Sequence, residues 1–245
     1  MSRAEQSDRD DPTVVARDIV ADAFPHARWA LLSGSVLTTH RTAGSDLDIV
    51  VLLPDGDPEA PHRNSRRFRG WPVELFVHDE ASLGHYLARE LPGRRPALTR
   101  MVATGVQLVG DRAHASEVQS LCTKVLADGP APLTDAERHR IRYQLTDLLA
   151  DLSHATDPAE RLVIAATAWT AAADRALVLG GRWTGTGKWL LRELRAHDAD
   201  LAERWLAAHA DPAAIEDLIR DVLAQVGGPL FAGHKERGER PSCRP

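Results

Sequence analysis

At 245 residues, with 43% hydrophobic, 27% charged and 5% aromatic residues, the chain has the makeup of a globular protein, which excludes collagen-like, mucin-like and wholly disordered classes. A formal net charge of −5 provides no overall field for a polyanion, so a nucleic-acid partner would need a local basic patch. Two cysteines, Cys122 and Cys243, are too few for a disulfide framework or a zinc site. The longest apolar runs, such as 162–169, are far shorter than the roughly 20 residues that span a bilayer. The start of the chain, MSRAEQSDRDD, has no apolar stretch of the kind that marks export, and no membrane partner is expected. The expected location is the cytoplasm.

Residues 1–10 are polar and expected to be loose. Asp11 followed by Pro12 is an N-cap with proline at the first helical position and predicts a helix to about Phe24. Residues 28–32 predict a short buried strand ending at Ser33-Gly34-Ser35, with a short helix to about Thr42 behind it. Residues 46–53 predict a second strand, closed by the breakers Pro54-Asp55-Gly56-Asp57-Pro58. The stretch 61–70, PHRNSRRFRG, carries four arginines and one phenylalanine. It is expected to be a solvated hairpin connection rather than a nucleic-acid patch. Residues 71–78 alternate with period two and predict a third strand. Helices around 82–90 and 96–103 and a strand at 106–109 complete a domain assigned to 11–112, which mixes strands and helices around one small sheet.

Beyond residue 113 strand signals vanish, and 113–232 is assigned to an all-helical domain. Thr134 with Glu137 three residues on is a capping box, opening a helix with Ile141, Leu145, Leu148, Leu149 and Leu152 on one face. Asp157-Pro158 opens another that stops at Gly180-Gly181. Further helices are predicted at 188–196, 199–208 and, after Asp211-Pro212, 213–225. The tail, 233–245, is expected to be disordered. The fold class is α+β: a small mixed sheet with flanking helices, followed by a helical domain.

The chemistry is concentrated in Gly34-Ser35, ten residues of spacer, and Asp46-Leu47-Asp48-Ile49-Val50-Val51. On a strand Asp46 and Asp48 share one face, and Leu47, Ile49 and Val51 take the other. Two carboxylates one pleat repeat apart, roughly 6.6 Å at Cα, suit a pair of divalent ions about 3.5–4 Å apart. Two like charges on a core strand are costly unless cations neutralise them. Glu74, between Val73 and Leu75, offers a third carboxylate from a neighbouring strand. Gly34 lets backbone approach a phosphate, the following helix start offers amide donors, and Ser35 adds a hydroxyl.

This pattern of Gly-Ser, spacer, Asp-x-Asp on a strand and a later acid resembles the DNA polymerase beta-like nucleotidyltransferase superfamily over roughly residues 28–78. The two-domain plan is closest to the antibiotic nucleotidyltransferases that modify aminoglycosides or lincosamides. The resemblance implies a transferase with a two-metal magnesium site at Asp46, Asp48 and Glu74. These carboxylates would also be catalytic, and Gly34 and Ser35 would bind the nucleotide, with ATP as the expected co-substrate. Nucleoside monophosphate would pass to a hydroxyl of a small acceptor with release of pyrophosphate. The alternatives are transfer to tRNA or protein, as in toxin–antitoxin relatives, and a nucleotide-binding module without turnover. The overall acidity favours a small acceptor.

In the helical domain, 181–188 (GRWTGTGK) is not a P-loop. Arg182 stands where the first glycine belongs, and Trp189 replaces the Ser/Thr. Its turn nevertheless presents Lys188, one of only three lysines, at a helix start. Related enzymes often use a helical-domain lysine on the triphosphate, so Lys188 is carried as a nucleotide-binding candidate. Its plain alternative is a solvated lysine at a helix–helix turn. Asp147, near Arg140, Tyr143 and Asp151 on the 134 helix, is a candidate for acceptor binding or general base. Ordinary ion pairing on a polar face is the simpler account there. His78 shares the face of Glu74, as a strand-end histidine usually without chemistry.

Overall fold

Asp11 begins the first element as the sequence predicts. Its carboxylate accepts from the amides of Thr13 and Val14, and α1 (Pro12–Ala23) follows. The computed structural model describes residues 9–235 and Gly238. Contacts divide the chain into two units, with the break between Gly129 and Pro130.

The first unit is built on a five-stranded sheet: β1 (Trp29–Ser33), β2 (Leu47–Leu52), β3 (His62–Phe68), β4 (Trp71–His78) and β5 (Val106–Gly110), in the order β3-β4-β2-β1-β5. β2 and β4 run parallel, and the other neighbours are antiparallel. Period-two alternation sends Leu47, Ile49, Val51, Val73, Leu75 and Val77 to one face, where they pack with Val15 and Ile19 of α1. On the other face Val50, Leu52, Trp29 and Leu31 lie in a core with residues of α2 (Glu80–Glu90), α3 (Ala97–Thr104) and α4 (Arg112–Asp128). Pro96, at the N-cap of α3, provides no side-chain acceptor. Glu90 does so instead, accepting from the amides of Leu98 and Thr99 at 2.6 and 3.1 Å.

Three sequence expectations change here. The helix expected up to Thr42 is a single 3-10 turn, Ser35–Leu37, followed by irregular backbone. Three threonines within five residues disfavour continuing the helix, and Thr42 and Ser45 instead satisfy each other's backbone. The supposed connection at 61–70 contains β3, one of the sheet's two edge strands, hidden from sequence patterning because its residues are almost all polar. The helix Arg112–Asp128, which the composition gives to the second domain, belongs to the first unit and places Val118 and Cys122 in its core. Burial, reinforced by the Glu90 carboxylate, pushes the Cys122 thiol up to about 11, so it behaves as a small hydrophobe. Cys243 lies outside the described residues.

The second unit is helical throughout its regular structure: α5 (Asp135–His154), α6 (Pro158–Leu179), α7 (Lys188–His197), α8 (Ala199–Ala207) and α9 (Pro212–Ala224). The Thr134/Glu137 capping box forms, and Asp157 and Asp211 cap α6 and α9 ahead of their prolines. Leu145, Leu152, Ala168, Leu177, Leu194, Ile215 and Leu223 share its core. Trp169 and Trp205 stack at 4.0 Å, and each indole N–H donates to the other's backbone carbonyl at 2.7 Å. The stretches expected to be loose, 1–10, and disordered, 233–245, fall mostly outside the described residues. Where the chain is described, Leu230 N–H donates to Thr146 and His234 stacks on Tyr143 at 4.1 Å. Among the described residues α6 alone has the length and apolar composition to cross a bilayer, with a third of its apolar window buried. The run-length reading missed this because its alanines raise the average without forming a long strongly apolar run.

Candidate active site

The close parallel pairing of β2 and β4 sets Asp48 directly beside Glu74, and β1 sets Ser33 on the other side of Asp48. Asp46 stands one residue before β2 begins. Asp46, Asp48 and Glu74 can each offer a carboxylate oxygen with all three within 4.8 Å of one another, and all three residues are half-buried. The face that carries them is the one covered further along by α2, α3 and α4, so the acids occupy the uncovered end of that sheet face.

Three anions this close repel unless cations intervene. An ion pair reaches the cluster from β3, where Arg63 donates to Glu74 Oε2. The Arg63 guanidinium also lies 4.8 Å over the Phe76 ring. Arg63 could have been found from the sequence only by recognising β3 and its hairpin register, which pairs Arg63 with Phe76 and Ser65 with Glu74.

Gly34 is placed by a close approach. Its backbone, at φ 90° and ψ −173°, is in a region essentially restricted to glycine. A Cβ there would stand 2.3 Å from Asp48 Oδ2. The Gly-Ser pair therefore does something the phosphate argument alone omits: it makes room for a carboxylate. Ser35 Oγ lies 2.9 Å from Oγ of the buried Ser45, whose oxygen also accepts from the Thr42 amide. The short 3-10 turn after Gly34 has no α-helical dipole to add, which corrects the expectation of a helix N-terminus facing phosphate.

In the second unit Lys188 is exposed at the first position of α7, behind Gly187 with φ 53°. The preceding turn joins two helices, and Thr184 within it is buried and donates to Asp174 at 2.9 Å. Asp147 is exposed on α5. These two candidates belong to a different unit from the carboxylates.

His78 ends β4 on the face of Glu74 and Phe76, 6% exposed, with its ring 5.4 Å from that of Tyr86. Its Nδ1 is buried without a hydrogen-bond partner. Burial pushes its pKa below 6.5, with the Asp79 charge opposing and His62 adding to the shift. The unfolded chain therefore binds this proton more tightly, and stability attributable to His78 is present above about pH 6.5 and declines as pH falls through that value. Melting curves at pH 7.5 and 5.5 are expected to show a smaller acid-induced drop in His78→Gln than in the wild type. Equal drops would remove His78 as the cause.

No protein-family model matches the chain, and no curated protein matches it. Among solved structures it is similar to the crystal structure of a nucleotidyltransferase-like protein from Exiguobacterium sibiricum 255-15. That similarity has 13% identity and a TM-score of 0.43, and covers 88% of this chain and 75% of that one. The carboxylates, not this similarity, carry the chemical argument.

Proposed function

We propose that the protein is a metal-dependent nucleotidyltransferase that moves a nucleoside monophosphate, AMP from ATP, to a hydroxyl of a small molecule with release of pyrophosphate. The observation that carries the proposal is the carboxylate triad Asp46, Asp48 and Glu74 gathered beside Gly34-Ser35. An all-oxygen, multiply anionic donor set fits hard cations such as Mg2+. Asp46, Asp48 and Glu74 would hold them, with Arg63 yielding its place on Glu74. When bound, the ions neutralise charge on the triphosphate and on the leaving pyrophosphate.

The chain's own groups divide the remaining work. Asp46 and Asp48 fix the position of the reacting phosphate relative to the sheet, and Gly34 admits it without a side chain in the way. Ser35 donates a hydrogen bond to a phosphate oxygen. The acceptor oxygen forms a new bond to the α-phosphorus while the bridging oxygen to the β-phosphorus leaves with pyrophosphate. Glu74 either completes the metal site or takes the hydroxyl proton, and Asp147 is the alternative base.

Lys188 is assigned to the β- and γ-phosphates as a compact charge on a flexible stem. A charged contact of this kind contributes about 1.5–3 kcal/mol, so Lys188→Ala should weaken ATP use roughly ten- to a hundredfold. Steady-state kinetics in ATP checks this, and an unchanged KM and kcat would withdraw Lys188 from the site without touching the triad.

The direct test is incubation with Mg2+ and α-labelled ATP, together with aminoglycosides, lincosamides, hydroxylated aromatic acids and bulk tRNA. Label on a small molecule with matching pyrophosphate supports the proposal. Label confined to tRNA, or to the protein itself, would instead identify a macromolecular acceptor. Binding of ATP with no transfer to any acceptor would favour a nucleotide-binding module.

A further inference from the structure

A cavity of about 510 Å³ opens on the sheet face that carries the triad, entirely within the first unit. Its walls come from four elements. β4 contributes Phe76 and His78, β3 contributes Arg63, α2 contributes Tyr86 and Arg89, and α3 contributes Met101. Phe76 is two residues beyond Glu74 on the same strand face, and Arg63 touches both Glu74 and the Phe76 ring. The cavity therefore adjoins the carboxylates. Its size falls in the range that encloses small organic ligands, commonly about 300–1,000 Å³.

The chemistry of the lining is one-sided. Phe76, Tyr86 and Met101 offer flat and polarisable apolar surface. The fixed charges are Arg63, Arg89 and Glu90, and Glu90 is already committed to the α3 amides of Leu98 and Thr99. Arg89 has no carboxylate partner among the described residues, so the lining keeps a surplus cation. His78 adds a second, independent sign of a ligand. It is more than nine-tenths buried, it lines the cavity, and its Nδ1 has no partner. Buried polar atoms are satisfied in the great majority of cases, so an unsatisfied one in the cavity wall sets this wall apart.

We propose that this cavity binds a compact aromatic molecule bearing an anionic group, with the ring against Phe76 and Tyr86 and the anion at Arg89. Its role as the acceptor pocket rests on the nucleotidyltransferase reading. The binding specificity stands without it. On that reading the acceptor is an aromatic acid or a similar anion, and Arg89 is the cation its charge meets. The depressed pKa of His78 agrees with a neutral imidazole that offers hydrogen bonding rather than charge.

The chain's two methionines, Met1 and Met101, allow a direct test. Protein carrying 13C-methyl methionine gives a cavity reporter at Met101, identified by loss of its signal in Met101→Leu. It is titrated, without metal or nucleotide, with 2-naphthoate, 2-naphthalenemethanol and 2-naphthylmethylammonium. The Met101 signal is expected to shift with 2-naphthoate at a Kd at least tenfold lower than with the ammonium compound. That preference should shrink below threefold in Arg89→Gln. An unshifted Met101, or equal binding of the cation, would overturn the proposal. A non-hydrolysable ATP analogue is the last arm, because a nucleotide is also an aromatic anion. If the analogue alone shifts Met101 and displaces 2-naphthoate, the cavity belongs to the nucleotide and the acceptor assignment falls. Since no turnover is measured, an inactive triad and a wrong pocket give different results.

Discussion

Replacing Asp48 by asparagine is expected to abolish nucleotidyl transfer, by about a thousandfold or more, while leaving the fold intact. Asp48 is the central member of the cluster, flanked by Ser33 and Glu74 on the adjoining strands. An amide is a poorer ligand for a hard cation than a carboxylate. Metal-ion stabilisation contributes several kcal/mol, and every 1.4 kcal/mol or so is tenfold in rate. The same substitution neutralises one of three mutually repelling groups. The metal-free variant should therefore melt no lower than the wild type. Kinetics and melting curves on one preparation separate the two effects. Wild-type turnover in Asp48→Asn would end the assignment of Asp48, and a collapsed fold would make Asp48 structural instead.

The second large effect is expected at Gly34. Alanine there meets two obstacles at once. The backbone conformation is one that residues with a Cβ rarely adopt, at a cost of order 1–3 kcal/mol. The new methyl carbon would also occupy the space of Asp48 Oδ2, 2.3 Å away. Relief requires moving the carboxylate or the turn, and either disturbs the cluster. Gly34→Ala should therefore lower the melting temperature and reduce transfer by at least a hundredfold, since misplacement by about an ångström can cost that much. Ser35→Ala, which removes a hydroxyl but keeps the backbone, should cost less on both counts. A Gly34→Ala protein as active as Ser35→Ala would show that the close approach to Asp48 is without consequence for the reaction.

The contrast between these residues shows what the chain makes legible. Asp46, Asp48 and Glu74 could be brought together from sequence because alternation along 46–51 and 71–78 fixes which side chains share a face. β2 and β4 are also neighbours in the sheet. The helix starts at Asp11, Thr134, Asp157 and Asp211 were equally readable, since each depends on a cap within four residues of itself. β3 was not. It is an edge strand whose side chains are polar on both faces, and only its pairing with β4 reveals it. Arg63 disappeared from view with it. The cavity was illegible for a related reason: its walls come from segments near 62, 77, 88 and 99, and no local pattern joins them. Gly34 has a second reason beyond the phosphate that a glycine beside a serine suggests, because a Cβ there would meet an aspartate.

Arg63 also sets the sharpest question about the site. It is an ion-pair partner of Glu74, and a guanidinium and a divalent ion compete for the same oxygens. The most direct measurement is therefore a crystal structure of the full chain with Mn2+ and a non-hydrolysable ATP analogue, with the manganese located by anomalous scattering. The account predicts at least one manganese held jointly by Asp46 and Asp48, at roughly 2.0–2.3 Å from their oxygens. It also predicts the α-phosphate beside Gly34-Ser35 and Arg63 withdrawn from Glu74. Manganese bound away from all three carboxylates, with Arg63 still on Glu74 and the nucleotide elsewhere, would contradict it.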